Sequence, residues 1–438
     1  MAVAADLPTR HFALVFAALL VTAAGNTALQ SVLPVIGREI GIPDLAIAVI
    51  FSLSALFWTF SAPFWARQSD LRGRRRLMQV GLAGFGVSMF LCAAVILAGL
   101  EGLIAPLVTF ALFTLARSLF GIFGAAANPA AQAYVAGRTS RSERTGTLAV
   151  LASAFGLGTI LGPALAPLFI LPVVGLSGPM FAFAAIAAIV ALALQWGLPD
   201  DDPAHSKDSR AGRGAAAAIP SIGSMPTGAN VLAAEEITSS GTRERMKISD
   251  PRVRPFMAYG FAAGSLQAAT GQAIGFLIID RVAGSAGLPA TQLISIAFMV
   301  AAGATLLAQW GIIRLLDLTP SQLMRWGSLI AAVGTAGVAL APSFHMLVLA
   351  FALASAGFGF ARPGFTAGAS LAVGRAEQGA VAGAVTAVNG ACFILAPAVG
   401  IGLYELVPEL PYALATLGLV LLAAYAWTNP LLRTSRPA

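Results

Sequence analysis

Polar residues are scarce along this chain and fall in clusters, with long apolar stretches between them. Twelve apolar segments stand out, at about 12–33, 45–64, 77–99, 105–135, 147–170, 178–198, 255–279, 291–315, 323–342, 346–373, 379–403 and 411–429. Each is about as long as a helix must be to cross roughly 30 Å of hydrocarbon at 1.5 Å per residue. Barrel strands would instead alternate apolar and polar positions in segments of about ten residues. The pattern predicts an all-α membrane protein of twelve transmembrane helices. Composition points the same way. Hydrophobic residues make up 58% of the 438 and charged residues 10%, against roughly 25% charged in soluble domains. The first segment has no small-residue cleavage site after it, so it reads as a retained helix rather than a signal peptide.

Charge changes the picture in one respect. The net charge of +7 does not mark a nucleic-acid surface, because the basic residues sit in short loops where they set membrane orientation. If both termini are cytoplasmic, 22 of the 26 Lys and Arg fall on that side. Only Arg38 and Arg281 are left in external loops, and Arg117 and Arg362 lie inside helices. The two cysteines, Cys92 and Cys392, lie in apolar runs with no metal-ligand spacing. Gly81, Gly84 and Gly86 cluster within an apolar helix and follow no strand, so they form no nucleotide-binding loop. No nucleophile, base and orienting group come together. These readings predict no enzyme, no cofactor, no metal and no nucleic-acid partner.

The chain also repeats. Ala23-Ala24-Gly25-Asn26 is echoed by Ala262-Ala263-Gly264-Ser265, and Pro163 corresponds to Pro397. Two six-helix halves follow, at 1–198 and 255–438, joined by a polar stretch at 199–254 that reads as a flexible cytoplasmic linker. Parallel repeats of this kind suggest a transporter with its substrate site between the halves.

Three motifs sharpen this. The stretch Ala66-Arg67-Gln68-Ser69-Asp70-Leu71-Arg72-Gly73-Arg74-Arg75-Arg76 carries Asp70, Gly73, Arg74 and Arg75 in an Asp-x-x-Gly-Arg-Arg pattern, with Gly73 suited to a tight turn. The fourth helix carries Arg117 and, four residues on, Gly121. An arginine in hydrocarbon costs about 2.5–3.5 kcal/mol on insertion scales and so marks a functional site. The fifth helix carries Gly158, Gly162 and Pro163, a small-x-x-x-small face with a proline attached. Together these resemble the major facilitator superfamily, and most closely its twelve-helix drug:proton antiporters. Ala66 and Leu71 depart from the loop signature, and Ala166-Pro167 from the end of the fifth-helix motif. The resemblance implies that Asp70 and Arg74 gate the two halves, that Arg117 couples proton movement to substrate, and that the fifth helix marks an exporter.

No Asp or Glu lies near the middle of any predicted helix, and the first helix offers only Asn26 and Gln30, which cannot titrate. Proton coupling is therefore carried by the resemblance and not by an identified protonation site, with Asp70 and Asp280 the remaining candidates. In this superfamily helices 1, 4, 7 and 10 face the pathway. Their polar residues are Asn26, Gln30, Arg117, Asn128, Gln132, Gln267, Gln272 and Arg362. The expectation is a monomeric, proton-coupled exporter of drugs or small metabolites in a bacterial inner membrane. Two alternatives stay open: an organic-anion carrier using Arg117 and Arg362, and a non-transporting sensor signalling through the 199–254 linker.

Overall fold

A computed structural model describes residues 7–139, 141–199, 250–284, 286–374 and 377–433, apart from the side chains of a few helical positions that include Asp70. Twelve helices in it are long and apolar enough to cross a membrane. They are α1 Thr9–Ile40, α2 Asp44–Arg72, α3 Arg74–Leu100, α4 Pro106–Ala136, α5 Arg141–Leu165, α6 Gly178–Gly197, α7 Arg254–Arg281, α8 Ala290–Leu315, α9 Pro320–Leu340, α10 Phe344–Leu371, α11 Gln378–Leu406 and α12 Leu410–Thr428. No β-strand occurs among the described residues. The chain is a multi-pass, all-α membrane protein.

Several helices run further than the apolar pattern. α1 continues through Pro34 to Ile40, and α2 through Pro63 to Arg72. Proline is tolerated in membrane helices because neighbouring groups re-satisfy the freed backbone. The Ala66–Arg76 stretch, read as a loop from sequence, is helical on both sides of Gly73. Gly73 alone turns the chain from α2 into α3, at φ 88°, a conformation that costs glycine little. The Arg74-Arg75-Arg76 run then opens a helix, where the dipole disfavours cations. Arg75 offsets this by donating to the carbonyl of Gln195 near the end of α6.

Two helices are irregular inside. α4 tightens into a 3₁₀ turn at Gly124–Ala126, just before Pro129, whose ring removes one amide donor from the ladder. α8 carries a π-helical turn at Leu307–Ile312. α5 ends two residues past Pro163 and passes into a 3₁₀ turn, Ala166–Phe169.

The chain forms two compact units. The first comprises the described residues of 1–29 and 53–243. In it α3 packs on α4 and α6 around the buried rings of Phe85, Phe113, Phe120 and Tyr134. The second comprises the described residues of 30–52 and 244–438, so it takes in the helix ends on either side of the α1–α2 turn. In it α7 packs on α11, and α9 lies against α10 and α12. The backbones of α9 and α10 meet closely: a Cβ placed on Gly327 would lie 2.7 Å from the Ala361 nitrogen. Phe256, Met324, Phe358, Phe365 and Leu419 fill this core. Of the 199–254 linker, all but its ends lies outside the described residues.

Candidate functional site

Arg117 is fully buried at mid-helix in α4. Its Nη2 donates to Oδ1 of Asn26 in α1, and its guanidinium stands 4.4 Å from the centre of the Phe120 ring. An amide oxygen and an aromatic face each stabilise a cation in a low-dielectric site without a counter-charge. Small residues bring the helices close enough for this. A Cβ on Gly121 would stand 3.0 Å from Phe57 Cβ and against the Ser54 carbonyl, so α2 presses on α4 one turn beyond Arg117. Ser54 in turn donates to the Arg117 carbonyl (3.4 Å).

The glycine face of α5 seats against α1 next to Asn26. A Cβ on Gly158 would lie 2.6 Å from Ala23 Cβ and 2.9 Å from the Ala24 nitrogen. One on Gly162 would meet the Ala24 carbonyl and Thr27 hydroxyl well inside contact distance. Thr27 Oγ1 bonds across this contact to the Gly158 carbonyl at 3.1 Å. Such close backbone approach is how small residues drive helix association in membranes. Pro163 follows directly.

Arg362 in α10 is buried in the second unit, and its Nη2 donates to Gln267 Oε1 in α7 at 3.4 Å. That is its only side-chain hydrogen bond among the described residues, and no carboxylate there pairs with it. The guanidinium does not turn to backbone near Pro363; instead Thr366 Oγ1 donates to the Arg362 carbonyl at 3.0 Å.

Among the other expected polar residues, Asn128 Oδ1 accepts from Gln132 at 3.3 Å, one turn along α4. Asn128 is buried and its Nδ2 finds no acceptor. Gln30 and Gln272 are half-buried and carry no side-chain hydrogen bond among the described residues. The structure therefore joins Asn26 to Arg117, Asn128 to Gln132 and Gln267 to Arg362. It leaves Gln30 and Gln272 apart. Trp58 and Phe358 are packed into helix cores, Trp58 against Phe120 at 5.2 Å.

In the basic segment, the Arg74 guanidinium packs on the backbone of Gly137 at the end of α4, where an added Cβ would stand 3.3 Å from Arg74 Cζ. The side chain of Asp70 lies outside the described residues. Near the start of α7, Arg252 pairs with Asp250 (2.9 Å) and with Glu377 before α11 (2.5 Å). Arg252 holds both carboxyls below the usual carboxylate range.

Sequence reasoning singled out Asp280 but not the cluster around it. In the second unit, Arg38 near the end of α1 donates to Asp44 in α2 through Nε (2.8 Å) and Nη2 (2.6 Å). The same Nη2 reaches Asp280 in α7 (2.9 Å), whose Oδ2 also accepts from Tyr404 of α11 (2.6 Å). The signal lay in the exceptions to the charge bias. Arg38 and Arg281 are the two loop cations that the sequence pattern leaves out of its predicted cytoplasmic set, and both pair with acids from distant helix ends, Arg281 with Glu409.

A family model described as Major Facilitator Superfamily matches residues 15–397. Curated relatives include the multidrug resistance protein MdtG of Proteus mirabilis, 29% identical over 147 residues, and that of Escherichia fergusonii, 27% identical over 147 residues. Each alignment spans 32% of this chain and 33% of the relative, so the chain matches a third of their length. Among solved structures, the human organic anion transporter MFSD10 (TETRAN) superposes with a TM-score of 0.62 at 19% identity, covering 96% of this chain and all of that one. The proton:xylose symporter XylE gives 0.61 at 14% identity, covering 95% and 94%. At these identities the two structures speak to the fold. Helix count, motifs, fold and family match agree, and the chain belongs to the Major Facilitator Superfamily, as a membrane transporter and not an enzyme.

Proposed function

We propose that the protein is a proton-coupled exporter of drugs or small metabolites, working by alternating access as a monomer in a bacterial inner membrane with both termini cytoplasmic. The observation that carries the export reading is the seating of α5 on α1 through Gly158 and Gly162, next to the Asn26–Arg117 pair. A proline-bearing helix pressed on the helix that holds Arg117's partner can transmit motion between the two. In this reading Arg117 couples, Gly121 sets its register against α2, and Gly158, Gly162 and Pro163 shape the moving contact. Asp70, Gly73, Arg74 and Arg75 gate, and Asn26, Gln30, Asn128, Gln132, Gln267, Gln272 and Arg362 contribute to substrate contact. The multidrug-resistance names of the partial relatives support it.

The test is expression in a bacterial host stripped of its own exporters, with a panel of lipophilic cations, neutral antibiotics and organic anions. Wild-type protein is expected to lower accumulation of at least one class in an uncoupler-sensitive way, and Arg117→Ala to abolish this at equal membrane abundance. Unchanged accumulation across the panel would count against export.

A second reading, carriage of organic anions, is favoured by Arg362: a buried guanidinium with one long hydrogen bond has donors left for a carboxylate or sulfonate. If that reading holds, Arg362→Gln abolishes transport of the anion panel while leaving cationic compounds unaffected.

A further inference from the structure

The end of the second unit where α9 begins and α12 ends carries cations and aromatic rings that the reading above does not use. Arg325, in the second turn of α9, donates through Nε to the Ala426 carbonyl in the last turn of α12 (3.1 Å). Through Nη2 it donates to the Arg433 carbonyl (3.4 Å). These bonds satisfy carbonyls that a helix end leaves open, and they use two of the five N–H donors of the guanidinium. The other three have no protein partner among the described residues. Arg433 closes the one-turn helix Pro430–Arg433, and its side chain is exposed and makes no hydrogen bond among the described residues. Asp317, just before α9, pairs with neither arginine, so both cations lack a counter-charge among the described residues.

The segment that carries Arg433 is firmly placed. Asn429 Oδ1 accepts from the amides of Leu431 (3.0 Å) and Leu432 (3.5 Å). Leu432 is fully buried in the core of the unit, and Ser321 Oγ donates to the Arg433 carbonyl at 3.2 Å. Beside these cations lie Trp326 of α9 and Trp427 of α12, 52% and 38% exposed, with their rings edge to face at 5.9 Å. The Arg325 guanidinium stands 5.8 Å from the Trp427 ring. Part-exposed indoles next to cations suit the boundary between hydrocarbon and headgroups. Two turns along the same helix faces, about 11 Å away, come the exposed side chains of Val333 and Val420. A hydroxyl bond between Thr335 and Thr416 (2.9 Å) ties α9 to α12 beyond them. The seam of these two helices therefore presents cations, then indole rings, then an apolar run.

The geometry points to a binding site for an anionic phospholipid on this seam. Arg325 and Arg433 hold the phosphate, Trp326 and Trp427 flank the glycerol region, and an acyl chain lies along the Val333 and Val420 faces. A free phosphate matches only the cations, whereas a phospholipid matches the cations, the rings and the apolar run together. The site goes beyond the transport reading and does not depend on it.

The test uses the full chain in nanodiscs of phosphatidylcholine, doped with phosphatidylglycerol or phosphatidylcholine brominated on an acyl chain. Bromine quenches nearby indoles. The difference in quenching between wild type and a Trp326→Phe/Trp427→Phe protein isolates the signal of this seam. Wild type is expected to favour phosphatidylglycerol about 30-fold over phosphatidylcholine, the product of about fivefold for each cation beside an anionic headgroup. Arg433→Gln is the decisive variant, because the fold uses only the backbone carbonyl of Arg433. It is expected to keep about fivefold selectivity. Arg314→Gln removes an exposed cation from the end of α8 and is expected to keep the full preference. Glycerol phosphate in the buffer, a headgroup without chains, is expected to leave the quenching unchanged. Equal quenching by the two brominated lipids overturns the site, as does an Arg433→Gln protein with wild-type selectivity. An Arg314→Gln protein that loses as much as Arg433→Gln shows a general surface charge effect and overturns it too. Displacement of the lipid by glycerol phosphate shows that the seam holds a free phosphate, and the lipid proposal then fails.

Discussion

Gly162→Ala adds one methyl group at the tightest point of the α1–α5 contact. The new Cβ would press on the Ala24 carbonyl and the Thr27 hydroxyl, and would stand 2.8 Å from the Ala28 nitrogen, where ordinary contact begins at 3.4 Å. Two of these three obstacles are backbone atoms within a helix, so no rotamer change relieves them. α5 has to retreat by about an ångström, and a gap of that size forfeits roughly a quarter to a half of each dispersion contact along the face. The Thr27–Gly158 hydrogen bond, at 3.1 Å, lengthens with it and loses about 0.6 kcal/mol, the average for such bonds in membranes. With the usual cost of overpacking, about 1–3 kcal/mol, the substitution should destabilise the first unit by about 2 kcal/mol, or roughly 30-fold in its unfolding equilibrium. The control is Gly146→Ala on the same helix, where an added Cβ meets nothing within 4 Å. There the gain in helix propensity, about 0.8–1 kcal/mol, is unopposed. Thermal unfolding in detergent, followed with a thiol-reactive dye, reads the exposure of Cys92, which is buried in this unit. Gly162→Ala should expose it at lower temperature than wild type, and Gly146→Ala should not. Equal behaviour of the two variants would refute the close seating of α5 on α1.

Other outcomes follow from the same geometry. Asn26→Leu removes the acceptor that Arg117 uses in α1 and should cost about 1–3 kcal/mol through a poorly solvated charge, with transport reduced; Asn26→Asp, which restores an acceptor, should recover stability in the same unfolding assay. Gly357→Ala would set its Cβ 2.7 Å from Ala331 Cα and from the Gly327 carbonyl, so the second unit should lose about 2 kcal/mol, read as earlier exposure of Cys392. Arg252 lowers the pKa of Asp250 and Glu377, so its contribution is present above the ordinary carboxylate range, about pH 5, and is lost as pH falls through the lowered values. The stability gap between wild type and Arg252→Gln should therefore be full at pH 7 and shrink as pH falls below the ordinary carboxylate range; a gap that does not shrink on acidification would contradict the pairing.

Helix number and type were legible in the sequence because each segment is long and apolar over its whole length, a signal that tolerates errors of several residues at either end. Helix ends were not. The predicted segments 12–33 and 45–64 stop short, yet α1 runs on through Pro34 to Ile40 and α2 to Arg72, because packing in the bundle outweighs the hydrogen bond that a proline removes. The 3₁₀ turn at Gly124–Ala126 and the π turn at Leu307–Ile312 change no residue's hydropathy and leave no periodic trace. Gly73 was legible as a turn because only its conformation matters there. Asn26, Arg117, Gln267 and Arg362 were nominated singly, by rarity, since polar groups inside hydrocarbon are few and costly. Which amide each arginine chose depended on helix rotation, which a single sequence does not encode. The Arg38–Asp280 ion pair joins positions 242 residues apart, and only the fold brings them together.

The most direct test of proton-coupled export is lumenal pH in inverted membrane vesicles that hold an inward-acidic gradient. Panels of lipophilic cations, neutral antibiotics and organic anions are added in turn. Export coupled to protons predicts that one panel dissipates the gradient with wild-type protein and not with Arg117→Ala. If no panel moves protons while labelled organic anions still exchange across the membrane, the protein is an anion carrier and the exporter account is wrong.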